Sequence, residues 1–167
     1  MKRRTFLVRS LSLLAMSTTG VALSGCGFQL RGLDQQALGF DTLDLNAPPT
    51  AFTDELKRRL NSDGVTLTDD APLRLNVGST EVKDVALGGG DLNYEEVELN
   101  LAVPFSVQRS SDDAYVLDQQ VIEVVTTYQA SDGNLLVRDD LRSQAVEALQ
   151  RDAIRQLLER LSALDRL

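Results

Sequence analysis

Residues 97–107 alternate without a break. Val97, Leu99, Leu101, Val103, Phe105 and Val107 share one side, and Glu96, Glu98, Asn100, Ala102 and Ser106 the other. A period of two held over that length marks a long, half-buried β-strand. The chain must therefore build a sheet with an apolar cover over one face of this strand. Pro104 cannot donate to a ladder, so it places the strand at a sheet edge or marks a bulge.

The neighbouring segments supply the rest of the sheet. Residues 110–113 turn the chain back into a second strand over 115–128. Both faces of that strand are partly apolar, with Val121 and Val125 on one and Ile122 and Val124 on the other. A strand apolar on both faces is expected to be covered on both. Helices can cover only one side of a small sheet, so these four residues are the candidate partner-facing strand. Shielding by loops or by the N-terminal tether is the alternative. Upstream, Leu73, Leu75 and Val77 alternate with Arg74 and Asn76, and the phase breaks near 79–82 as at a bulge or bend. Leu43 and Leu45 define a short strand over Thr42–Asn46 that Pro48-Pro49 stops.

Two segments change to the helical period. Phe52, Leu56 and Leu60 lie four apart, after Thr50 or Thr53 as N-cap, and the segment stops at Asn61-Ser62-Asp63-Gly64. Residues 65–68 then fit a brief strand parallel to the first. Over 137–164, Leu141, Ala145, Leu149, Ala153, Leu157 and Leu161 step by four. That stripe predicts a core-facing amphipathic helix. The fold class is α+β: two helices packed on one face of a small mixed, mostly antiparallel sheet, as a two-layer sandwich.

The N-terminus reads as an address. Met1-Lys2-Arg3-Arg4 precedes a mildly apolar run that ends in Leu23-Ser24-Gly25-Cys26. Basic, apolar and small-residue segments in that order form a signal peptide, and a cysteine at the cleavage point is a lipoprotein signal. Residues 1–25 are expected to be removed and Cys26 to carry the lipid. Arg3-Arg4-Thr5-Phe6-Leu7 also resembles a twin-arginine export motif, beside the ordinary secretory reading. Residues 26–39 then form a lipidated tether and 40–167 a single domain.

Composition closes several routes. There is no histidine, and Cys26 is the only cysteine. His-based nucleophilic catalysis, the commonest zinc ligand and an internal disulfide are all excluded. No metal site or other cofactor is expected beyond the covalent lipid. The acidic pairs Asp69-Asp70, Glu95-Glu96, Asp112-Asp113 and Asp139-Asp140 read as solvated turns and ends rather than acid–base dyads. Gly88-Gly89-Gly90 reads as a hairpin turn, since no Lys-Ser/Thr follows it. Residues 1–25 hold four basic residues and no acid, so their loss takes the formal charge from −8 to −12. Such a chain should not bind nucleic acid through its overall field.

Cys26-Gly27-Phe28-Gln29-Leu30-Arg31-Gly32 resembles the mature start of the LPS-assembly lipoprotein LptE family, and residues 151–161 resemble its closing helix. The element order between them agrees. The resemblance implies a lipid-anchored protein on the periplasmic face of the outer membrane. It implies a non-catalytic role as plug and assembly partner of the LPS transporter barrel LptD, with binding of lipopolysaccharide itself. It also implies basic contacts to LPS phosphates near strand ends. Arg138 matches one such place, and a guanidinium can clamp a phosphate bidentately. The turn at Gly88-Gly89-Gly90-Asp91 matches another but carries no positive charge. Lys83, Arg109 and Arg142 are further candidates on charge alone. The competing reading is an auxiliary periplasmic lipoprotein of a lipid-transport ABC system.

Overall fold

The computed structural model describes residues 38–88, 94–131 and 135–164, with the side chains of residues 94, 130 and 131 outside that description. Cys26, the signal segment, most of the tether and most of the two glycine- and aspartate-bearing turns lie outside the described residues. The described residues form β1 (Thr42–Asn46), α1 (Ala51–Ser62), β2 (Thr66–Leu67), β3 (Leu73–Val77), β4 (Glu81–Ala86), β5 (Tyr94–Arg109), β6 (Tyr115–Ser131) and α2 (Leu135–Leu164). No helix among them is long and apolar enough to cross a membrane.

The sheet is mixed. β1 pairs in parallel with β2 on one side and β3 on the other, and β3, β4 and β6 all pair antiparallel with β5. The order is β2-β1-β3-β5, with β4 beside the N-terminal part of β5 and β6 along its opposite flank. Both helices cover one face. Leu43, Phe52, Leu56, Leu60, Leu75, Leu99, Leu101, Val103, Phe105, Ile122, Leu157 and Leu161 are essentially inaccessible there. Each large aliphatic side chain buried in this way contributes about 1.5–3 kcal/mol. Leu38, in the described end of the tether, is buried in this core, and Phe40 at the start of the domain packs against it.

Local chemistry sets the ends of α1. The Thr50 hydroxyl accepts from the Thr53 N–H at 3.2 Å, so Thr50 is the cap. Thr53 is instead buried in the first turn and donates to the Pro48 carbonyl at 2.7 Å. At the other end Gly64 adopts φ +88°, and the N–H groups of Gly64 and Val65 return to the carbonyls of Asn61 and Leu60. This is the paired closure that a left-handed residue after a helix allows.

Pro104 does not mark an edge, because β5 is an inner strand with neighbours on both flanks. The Pro104 carbonyl accepts from the Gly78 N–H at 2.8 Å, so its missing donor faces the same side, toward residues 78–80 that join β3 to β4. The donor is absent where the ladder is already interrupted. Gly78 belongs to the same device: a Cβ there would lie 2.8 Å from the Pro104 ring. The phase break near 79–82 is this step from β3 to β4 along one flank of β5. The register shift against β6 follows Pro104, between Phe105 and Val107.

α2 starts at Leu135, two residues before the expected position, and its first turns are not packed as the stripe suggested. Leu141 is 36% exposed, and Leu135, Leu136 and Val137 are more so. The burial of α2 starts at Ala145 and is complete from Leu149 onward.

Candidate functional site

The face of the sheet opposite the helices has no covering element among the described residues. Its composition changes along the strands. At the β1–β3 end it is a hydrogen-bonded polar ladder. Arg74 meets Asp44 at 2.6 Å and Asp113 at 3.2 Å. Asn46 donates to Asn76 and Asn76 to Gln108, each at 2.8 Å, and Gln108 donates to the Asp113 carbonyl. The hydrogen bond that Arg74 donates to the Asp44 carboxylate is the main reason its guanidinium is held above its ordinary pKa.

Farther along, the face carries uncovered apolar side chains among acids. The register sets Val121 opposite Pro104 and Val125 opposite Asn100, with Lys83 on the far side of Asn100. Val121 is 49% and Val125 52% exposed, and Val85 and Leu87 are similarly open. Glu81 and Glu123 flank Ala102 from the two sides, and Glu98 lies two rows on. The four residues singled out on this strand therefore divide. Ile122 pairs with Val103 and Val124 with Leu101, on the buried face beneath the helices. Only Val121 and Val125 are available to a partner.

The four cations singled out do not converge. Arg142 holds Asp84 of β4 with two contacts, Nε at 2.7 Å and an Nη at 2.9 Å. Hydrogen bonding from Arg142 holds the Asp84 carboxyl below the usual aspartate range against an opposing desolvation, and the nearby charge of Arg138 pulls the same way. Arg138 itself lies 3.5 Å from Glu95. These two arginines thus share the end of the molecule where α2 begins. Lys83 points to the opposite face of β4 and lies 3.5 Å from Glu81. Arg109 pairs with Asp112 at 3.0 Å, at the far end of β5 from Glu95. A 16-residue strand spans roughly 50 Å at about 3.3 Å per residue, so one phosphate cannot meet both ends.

Beside the arginines stands an apolar group that the helical stripe left out. Leu135, Leu136 and Val137 are 69%, 78% and 47% exposed in the first turn of α2. They make an uncovered apolar end next to Arg138 and Arg142. Asp84 was also missed, because its link to Arg142 crosses 58 positions and depends on how β4 lies beside β5. The polar ladder had a visible component, since Asp44, Asn46, Arg74 and Asn76 are the outward residues of two alternating strands. Their meeting required the parallel β1–β3 register. A shallow cleft between α1 and α2 is lined by Ala51, Glu55, Arg58, Glu147, Gln150 and Arg151. There Arg58 pairs with Glu55 and Arg151 with Glu147, which leaves no charge excess for a ligand.

Comparison with known proteins adds a family. A family model described as LptE: Lipopolysaccharide-assembly matches residues 40–161. No curated protein sequence matches the chain. Among solved structures, the chain is similar to a minor lipoprotein from Acinetobacter baumannii, at 22% identity and a TM-score of 0.62, over 74% of this chain and 92% of that one. It is similar to rare lipoprotein B from Shewanella oneidensis at 19% identity and 0.62, over 73% and 94%. The solution structure of lipoprotein B from Nitrosomonas europaea gives 19% and 0.67, over 82% and 91%. At these identities the likeness is one of fold.

Proposed function

The chain belongs to the LptE lipopolysaccharide-assembly family, and from that premise we propose that it is the non-catalytic lipoprotein partner of the outer-membrane barrel LptD. Family membership carries a role in lipopolysaccharide assembly at the outer membrane. The finer reading is that the domain docks as a plug against the barrel lumen through its open sheet face, held to the membrane by lipid on Cys26. The observation that supports docking is the pair Val121 and Val125, each about half exposed on a face that no helix among the described residues covers. A stable contact would bury at least about 1,000 Å² in total, with a centre poor in charge. Contact with lipopolysaccharide is assigned to the start of α2. There the exposed Leu135, Leu136 and Val137 adjoin Arg138 and Arg142. Apolar surface beside guanidinium groups matches an acylated, phosphorylated sugar. A phosphate would compete with Asp84 and Glu95 for these cations, which fits bidentate arginine chemistry.

The test is affinity purification of the tagged chain from membranes, followed by mass spectrometry. A copurifying outer-membrane barrel is the expected result. The double substitution Val121→Glu with Val125→Glu should lower its recovery while leaving the domain folded. Recovery of an inner-membrane ABC complex in place of a barrel would overturn the reading. A barrel recovered equally well with the double variant would remove the open face from the interface.

A further inference from the structure

The two long flanks of the sheet are guarded unequally. β4 is a short edge of six residues with three charges, Glu81, Lys83 and Asp84. Short length and charge are how edge strands avoid unwanted pairing. β6 is the opposite edge, 17 residues long, and among the described residues it pairs with β5 alone. Its irregularities are confined to one end. Gln120 and Leu117 face Phe105 and Val107, and Tyr115 faces Gln108, so the extra residues of β6 fall between 115 and 120. From Gln120 to Ser131 the register is unbroken. Residues 120–129 contain no proline or glycine and one charge, Glu123, with Val, Ile or Thr at six of the ten positions. This segment has the composition of a sheet interior and the position of an edge.

The direction of its backbone groups follows from the ladder. The carbonyls of Glu96 and Pro104 accept from Leu87 and Gly78, on the β4 and β3 side of β5. Successive residues of a strand direct their backbone groups to opposite flanks. Val97, Leu99, Leu101 and Val103 therefore bond toward β6, to their register partners Tyr128, Thr126, Val124 and Ile122. Val121, Glu123, Val125, Thr127 and Gln129 are left with N–H and C=O directed at the free edge. Their side chains lie on the open face, so edge and face form one surface about 30 Å long at about 3.3 Å per residue.

We propose that this edge accepts an extended, basic polypeptide segment of another protein as an added strand. The proposal rests on the reading that a partner protein meets this side of the sheet, and it specifies how. Charge selects the occupant. The open face carries Glu81, Glu96, Glu98 and Glu123 against Lys83. A second copy paired edge to edge would set a second acidic face beside the first. A strand with lysine or arginine opposite Glu123 and β-branched residues opposite Val121 and Val125 offsets the charge and covers both valines.

The probe is a ten-residue synthetic peptide with threonine at every second position and valine and lysine taking turns at the positions between, so that one face reads valine, lysine, valine; it is added to the full chain purified from membranes in detergent. Amide hydrogen exchange is followed residue by residue. At a peptide concentration ten times its dissociation constant, the amides of Val121, Glu123, Val125, Thr127 and Gln129 should slow by about tenfold. Those of Ile122, Val124, Thr126 and Tyr128, already bonded to β5, should not change. No slowing, or slowing without this alternation, overturns the proposal. A peptide with glutamate in place of lysine should have no effect, and an equal effect overturns the charge argument. Alternate slowing without peptide, together with a dimer in sedimentation, would identify a second copy as the occupant and also overturn it. Failure of the functional reading is distinguishable. A barrel recovered with the wild type but no peptide-induced alternation sinks the edge proposal alone. Alternation with no barrel recovered sinks only the functional reading.

Discussion

The two ends of the sheet are built on opposite terms. At the β1–β3 end the core is closed. Leu43, Leu56, Leu60, Leu75, Val107, Leu157 and Leu161 are all inaccessible, and the outward polar residues bond one another. At the end where α2 begins, β5 and β6 extend beyond β1 and β3, and among the described strands only β4 accompanies them. There Val85, Leu87, Leu135, Leu136 and Val137 stay exposed. The buried face runs on under the helices through Leu99, Leu101 and Ile122, whereas the exposed apolar surface gathers at the second end. The strands β5 and β6 connect the two.

The largest expected effect tests whether β6 takes part in the closed core. Ile122→Glu would place a carboxylate without a partner beside Val103, at a side chain now 2% exposed. Burying an unpaired charge is among the most destabilising single changes, above about 4 kcal/mol. The variant should show no cooperative unfolding transition by circular dichroism. A stably folded variant would mean that the helices do not seal this row.

Within α2 the comparison can be made on one element. Leu149→Ala should cost about 2–5 kcal/mol, as for a buried leucine. Leu141→Ala, two turns earlier and partly exposed, should cost less than about 1 kcal/mol. Equal shifts in chemical denaturation would erase the distinction between the ends. At the closed end, Thr50→Ala removes the cap of α1 and should cost about 1 kcal/mol, read by the same method.

The strut between β4 and α2 gives a smaller, pH-dependent effect. Arg142 holds the Asp84 carboxyl below its ordinary pKa. A depressed folded-state pKa contributes stability above the unfolded value, about 3.9, and that stability is lost as pH falls through the folded value. The stability difference between wild type and Asp84→Asn should thus be present at neutral pH and shrink toward zero as pH falls well below about 3.9. For a pair this exposed it should not exceed about 1 kcal/mol. A difference independent of pH would assign the strut to packing rather than charge. The smallest effect belongs to the open face, where Val125→Glu should change stability by less than about 0.5 kcal/mol. A larger loss would show that this valine is covered within the protein.

Much of the fold was legible in particular residues. The alternation from Val97 to Val107 identified the buried face of β5, and Phe52, Leu56 and Leu60 identified that of α1. Other features were not. Pro104 read alone left an edge or a bulge open, and it stands on an inner strand, beside the break between β3 and β4 and just before a register shift against β6. Leu141, the first residue of the α2 stripe, read as core, but it is 36% exposed. Arg138 and Arg142 were identifiable as cations, while the carboxylates Glu95 and Asp84 that meet them were not.

The amino-acid sequence by itself determined which side chains share a face, because the strand and helix periods are properties of a few consecutive residues. It determined that β6 has two apolar faces. Only the tertiary structure decided that Ile122 and Val124 are core and Val121 and Val125 are surface. That choice is set by register against β5, and a shift of one residue would exchange the two faces. The partner of each arginine and the exposed edge of β6 were decided in the same way. They depend on which strands become neighbours across tens of residues, and local periodicity contains no term for that.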